Sequence, residues 1–538
     1  MLALRWWLLS IVRWASARWW RALALFVFVS LLTRWLGFVV DILDVDESAH
    51  IVGAWEVARG RVLYRDFVNN KPPLLYVFYL AAQWLGGPSL PGVRLVTALL
   101  VLPLTAWGLV AFERDRARGV LAGLAFLLFS AAFIGHDMLA AHAEVLMVAP
   151  ATWALALVAT ESRARSLWRL GAAGMLMGVA FLFKYQVATW GAALAAAAAV
   201  ACSRGRGLRA VPGALGTLAL GFALPLVLTY AWFASQGAAQ DLVYWTLSNN
   251  LAYSANPITA AEAVERAVAY ALPFGLATLP LWWAAWRSFS GEGLSHRTWL
   301  VAGLLVCTVP AVAIGFRFYP HYFVQFYVPL TLAAVPALDR WLRAESAPCA
   351  GVLAAWGVVV IVGFAVANPL LYFGPWRVYR ETDPTFEAVG RRLSQDACAR
   401  GSSLFVWGYA PPVYYYARLP AASRFVVLAQ ARLTGYVSGN LARVRGQALQ
   451  EGVEAEHWTW LMDDLERRRA TYIVDTAPAG IYRWNRYPLE DYPPLRDYVA
   501  RRFELVDDVS AVRIYRRIGC AAASGARPSP GVPEPDGP

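Results

Sequence analysis

Long apolar runs separated by short polar stretches fill the first 370 residues. The run Ala22 to Val40 is the first long enough to cross a bilayer. Others follow near 91–112, 119–135, 143–160, 170–186, 187–202, 213–235, 267–286, 299–316, 323–338 and 351–368. This pattern predicts about eleven transmembrane helices of ~20 residues. The runs 170–186 and 187–202 are parted only by Lys184-Tyr-Gln. Residues 1–21 place Arg5, Arg13, Arg18 and Arg21 among Trp6, Trp7, Trp14, Trp19 and Trp20, which reads as an interfacial helix. No small-residue cleavage site follows, so a cleaved signal peptide is not expected.

Beyond residue 370 the pattern becomes that of a soluble domain. Pro384 to Leu393 and residues 456–469 have helical spacing. Ser403 to Gly408, Arg424 to Leu428, Thr471 to Asp475, 502–506 and 511–516 read as strands. Alternating strands and helices predict an α/β domain over 371–520 with a largely parallel sheet. The Gly-, Pro- and Ser-rich tail 521–538 is expected to be disordered. The fold class is thus a mainly α-helical polytopic membrane domain (1–370) with a C-terminal α/β soluble domain.

Composition supports this. The 538 residues are 59% hydrophobic and 16% charged, with a mean hydropathy of +0.45, too apolar for an ordinary soluble protein. The net charge of +12 reflects topology rather than a nucleic-acid partner. The N-terminus and the loops 113–118, 161–169, 203–209, 287–297 and 339–343 carry 17 arginines. The opposite short loops carry only Lys184 and Arg317. The positive-inside rule then puts the N-terminus in the cytoplasm, and the 41–90 loop and C-terminal domain outside. Cys398 and Cys520 would both lie there, where a disulfide is chemically allowed.

The most polar stretch of the apolar region follows the first span: Asp44-Val-Asp-Glu-Ser-Ala-His50, then Arg61 through Lys71-Pro-Pro-Leu-Leu-Tyr76. Further charges on the predicted outer face are His136, Asp137, His142, Glu144, Lys184, Arg317 and His321. Ionisable groups at a membrane boundary are costly to keep and mark candidate sites. Lys71 and Lys184 are the only lysines beside 46 arginines, which suggests positions where a compact ammonium suits better than a planar fork. No zinc-type spacing, nucleophile elbow or glycine-rich phosphate loop occurs. No cofactor is therefore required, and a divalent metal is not favoured. What remains is a carboxylate beside cations on a face open to lipid, suited to transfer from a lipid phosphate. Lys71, with its direction fixed by Pro72 and Pro73, would hold the phosphate and an aspartate would take the acceptor's proton.

Asp46-Glu47 after the first span and Lys71-Pro-Pro-Leu-Leu-Tyr76 resemble superfamily C (GT-C) glycosyltransferases. The likeness is to bacterial relatives of protein O-mannosyltransferases and of the aminoarabinose transferase. Gly178-Val-Ala-Phe-Leu-Phe-Lys184, Tyr244 to Asn250 and Gly315-Phe-Arg-Phe-Tyr-Pro-His-Tyr-Phe323 are similar to later segments of that branch. The resemblance covers most of residues 30–370. It implies inverting sugar transfer from a polyprenyl-phosphate donor to a lipid, glycan or protein hydroxyl. Asp46 carries over as base, with Glu47 next; Lys71 carries over as a phosphate contact. Asp44, His50, Asp137, Glu144, Lys184, Arg317, His321 and Tyr322 complete the expected substrate-binding set. Relatives often have arginine then tyrosine where this chain has Ala49 and His50. The rival readings are a transporter or flippase of lipid-linked sugars, which should carry charges deep in its spans, and a structural assembly protein, which leaves the acidic loop unexplained.

Overall fold

The structure is a computed structural model. It describes residues 2–133, 135–254, 259–291, 293, 295–343, 348–373, 384–396, 398, 401–428, 431, 433–434 and 455–520. The described residues divide into two compact units, one up to residue 373 and one from residue 384 onward.

The first unit opens with α1 (Leu2–Ser16) and α2 (Trp19–Phe38). The stretch expected as a loop then folds into two helices, α3 (Val45–Ala58) and α4 (Pro73–Gly86). Local signals explain this difference. Asp44 caps α3 by accepting the Asp46 N–H at 2.7 Å. Pro73 begins α4, where a missing N–H costs nothing. Next come α5 (Leu90–Phe112), α6 (Arg116–Phe129), α7 (Gly135–Leu139) and α8 (Ala143–Val158).

Among the described residues, six helices are individually long and apolar enough to cross a membrane: α2, α5, Tyr185–Arg206, Leu208–Ser235, His296–Phe316 and Pro320–Arg343. Ala260–Ala277 and Leu279–Gly291, bent by 69°, make a seventh if taken as one span. The apolar helices α4, α8, Leu167–Phe181 and Ala355–Leu371 are shorter. The expected break at Lys184 is real: one helix ends at Phe181 and the next begins at Tyr185. Leu167–Phe181 lies against Leu208–Ser235 at a separation only glycine allows. A Cβ at Gly174 would sit 2.1 Å from the Leu218 carbonyl oxygen, and one at Gly178 2.4 Å from that of Phe222.

The second unit carries a four-stranded sheet of β1 (Leu404–Trp407), β2 (Tyr472–Asp475), β3 (Phe503–Val509) and β4 (Val512–Arg517) in the order β1-β2-β4-β3. Only β1 and β2 are parallel; β2–β4 and β3–β4 are antiparallel, which corrects the expected sheet. Ser510 and Ala511, at φ 51° and 63°, form a two-residue turn, and such a turn can only fold β3 back onto β4. Arg424–Leu428 is not a strand. Asp464 takes both the Arg424 N–H and its Nε, each at 2.9 Å, so pairing with β1 shrinks to one bridge at Ala421. The expected helices appear at Pro384–Ser394 and Ala455–Arg467. Cys398 and Cys520 are joined in a disulfide. The tail 521–538 lies outside the described residues.

Candidate active site

The Asp44 cap puts Asp46 and Glu47 in the first turn of α3, where the helix dipole favours acids. Adjacent residues of a helix point about 100° apart, and these two meet different cations. Asp46 Oδ2 lies 3.0 Å from Lys71 Nζ, and the two side chains keep 26% and 19% of their exposure. Glu47 is fully buried against Arg94 of α5, whose guanidinium reaches it at 2.6 and 3.1 Å. Arg94 also donates to the carbonyls of Gly37, Val40 and Asp41, and Glu47 accepts the Ala141 N–H at 2.7 Å. These bonds tie α2, α3, α5 and the chain before α8 together. Glu47 therefore acts as a brace rather than a second reacting acid.

Lys71 is held by its own backbone. Its carbonyl accepts the Tyr64 hydroxyl at 2.7 Å, and its N–H reaches Asn69 Oδ1 at 3.2 Å. Three residues on, the Leu74 N–H donates to the Leu182 carbonyl at 3.1 Å, joining the turn of Lys71 to the turn of Lys184. Lys184 Nζ pairs with Glu144 Oε1 at 2.7 Å and lies 5.0 Å from the Tyr322 ring centre. Both lysines thus bind acids of one cluster.

Burial disfavours the Asp46 carboxylate, yet Lys71, His50 and His142 hold it well below the usual carboxylate range. For Lys71, burial acts downward, but Asp46, Glu144 and Tyr322 push its ammonium above the ordinary lysine range. The pair rests as carboxylate and ammonium.

The other expected residues converge here. His321 Nδ1 lies 2.5 Å from Asp137 Oδ1, and its Nε2 is 4.0 Å from Glu144. The His142 and His321 rings stack at 4.3 Å. Asp137, His142 and His321 bring one donor atom each to within 4.8 Å of one another, so these three residues can hold a divalent ion. Two tetrahedral ligands of zinc sit about 3.3 Å apart, so Asp137 and His321 would have to separate to share one. Arg317 is buried, and its carbonyl takes a bond from Arg266 at 3.4 Å. Gly315, Phe316 and Phe318, at φ 63°, 52° and 47°, bend the chain around it, a local strain of ~1–3 kcal/mol for each non-glycine residue. Asp44 serves as the cap. The side chain of His136 lies outside the described residues.

Sequence reading missed Arg94, although a lone charge inside an apolar run was a signal for it. Tyr64 and Tyr76, both fully buried beside the lysine turn, carried no such signal.

No protein-family model matches the chain, and no curated protein is significantly similar to it. Among solved structures, ArnT from Cupriavidus metallidurans bound to undecaprenyl phosphate aligns with a TM-score of 0.60 at 16% identity, over 94% of this chain and 99% of that one. The same protein in its apo state aligns with a TM-score of 0.56, at the same identity and coverage. At that identity the likeness speaks for fold alone: this chain shares the fold of ArnT, a polytopic helical membrane part followed by a soluble unit.

Proposed function

We propose that the protein transfers a sugar from a polyprenyl-phosphate carrier to a hydroxyl group of a lipid, glycan or protein, at the outer face of the inner membrane. The observation that carries this reading is the Asp46–Lys71 pair, a carboxylate and a point-like cation at 3.0 Å that both remain partly open to solvent. The carrier phosphate takes Lys71, Lys184 and Arg317 as partners. The acceptor oxygen attacks the anomeric carbon as the bond from that carbon to the phosphate oxygen breaks. Its proton passes to Asp46, and the carrier leaves as a phosphate monoester held by the cations. A single displacement of this kind inverts the anomeric centre.

An apolar groove of about 500 Å³ supports a lipid-linked donor. Its walls include Phe78, Leu104, Leu146, Trp153, Leu176 and Phe183. All of the lining residues are apolar, so the groove suits a polyprenyl tail. The known lipid ligand of ArnT is of the same class. The arginine asymmetry and the Cys398–Cys520 disulfide both favour a cytoplasmic N-terminus and an extracytoplasmic C-terminal unit.

The test is transfer by the purified protein in nanodiscs, supplied with undecaprenyl-phosphate-linked sugars. A positioned general base contributes ~10²–10⁴-fold, so Asp46→Asn should lower kcat by that range while undecaprenyl phosphate binding persists. Normal turnover by Asp46→Asn would remove Asp46 from the role of base.

A further inference from the structure

His50 lies one helical turn after Asp46 on the same face of α3. It is 1% exposed. Its ring meets Tyr79 edge-on at 5.4 Å and Tyr76 at 6.2 Å. Among the described residues, neither Nδ1 nor Nε2 has a hydrogen-bond partner. Buried polar atoms in folded proteins are almost always paired, so two idle nitrogens on one buried ring point to a group that arrives from outside.

The charges around the ring define that group. Asp46 and Glu144 face it as acids, Lys71 and Lys184 as cations, and Tyr76 and Tyr79 as neutral rings. Burial lowers the imidazole pKa furthest, and the lysines add to this against the two acids, bringing it to about 3. The resting ring is neutral, with one N–H donor and one lone-pair acceptor. A phosphate ester offers only acceptors and would leave the lone pair unpaired. Hydroxyl groups offer both donor and acceptor.

Resting on the carrier reading above, we propose that His50 is the residue that recognises the transferred sugar. Its donor nitrogen binds one ring oxygen or hydroxyl, and its acceptor nitrogen takes a hydrogen bond from another hydroxyl, beside the base at Asp46. The phosphate is left to the lysines. His50 thus reads the sugar, and Lys71 and Lys184 read the carrier.

The experiment measures affinity of the full-length protein in phosphatidylcholine nanodiscs. The probes are undecaprenyl phosphate and undecaprenyl-phosphate-linked mannose, glucose and arabinose. His50→Phe, which fills the space without a nitrogen, should weaken the best-bound sugar-bearing carrier by about 10- to 100-fold, the loss expected when buried hydrogen bonds go unmade. Binding of bare undecaprenyl phosphate should change by less than about twofold, as for a site outside the contact. His50→Gln keeps one donor and one acceptor and should recover part of the loss, which a purely structural role would not predict. Equal weakening of both probes, or no weakening of either, overturns the assignment while leaving the carrier reading standing. A wild-type protein that binds none of the four probes overturns both.

Discussion

Asp46 and Glu47 are neighbours in sequence, and their ion pairs are opposites. Glu47 meets an arginine within the protein, fully buried, with the guanidinium fork divided among a carboxylate and three carbonyls. Asp46 meets a lysine at a partly open edge, 3.0 Å away. A planar fork with every donor engaged locks elements in place, whereas an ammonium on a flexible stem can change partners. The difference separates a brace from a working pair. It also gives a reason why lysine occurs at this place in a chain that otherwise uses arginine.

Three substitutions probe that contrast. Arg94→Ala leaves Glu47 buried without its partner and should cost about 3–5 kcal/mol of stability, seen as a large fall in thermal unfolding temperature in detergent. A small fall would mean Arg94 is no brace. Asp475 extends the comparison to an acid with no ion pair among the described residues. It is fully buried at the end of β2, and its Oδ2 has no hydrogen-bond partner among the described residues. Burial raises its pKa from 3.8 to about 6, with Glu490 adding to the rise and Arg513 and the Ala477 N–H opposing it. A raised acid stabilises the fold fully below the unfolded value near 4, and that stability is lost as pH rises toward 6. Asp475→Asn should therefore stabilise the protein by about 2–3 kcal/mol at pH 7–8 and by almost nothing at pH 4. A pH-independent effect would contradict this account. Lys71→Met should cost less stability than Arg94→Ala, because its ion pair keeps a partly open edge. Its affinity for undecaprenyl phosphate should nevertheless fall about tenfold or more, because a charge-assisted bond is lost. A Lys71→Met protein that unfolds easily yet binds normally would reverse the contrast.

The sequence made these parts legible to different degrees. Asp46, Lys71, Glu144 and Lys184 stood out because charge is rare in an apolar chain, and the fold brings all four into one cluster. Glu47 was equally visible, but its direction depends on the angular step of a helix whose existence was not foreseen. The turn at Ser510–Ala511 held the clue to the antiparallel sheet, yet the run of strands and helices outweighed it. Arg424–Leu428 shows the limit of periodicity: its apolar residues are buried as expected, but Asp464 occupies the groups a strand would need.

The bond from the Leu74 N–H to the Leu182 carbonyl has a consequence for spacing. It links two turns more than a hundred residues apart in sequence, each beside one of the two lysines. The link is made by main-chain atoms, so side-chain changes around it leave the pair of anchor points untouched. Few waters compete for such a bond near the membrane. It works as a fixed ruler between the places from which the two ammonium groups extend. On the function proposed above, the walls of the groove can change with the molecules accepted, while the spacing of the two lysines stays set.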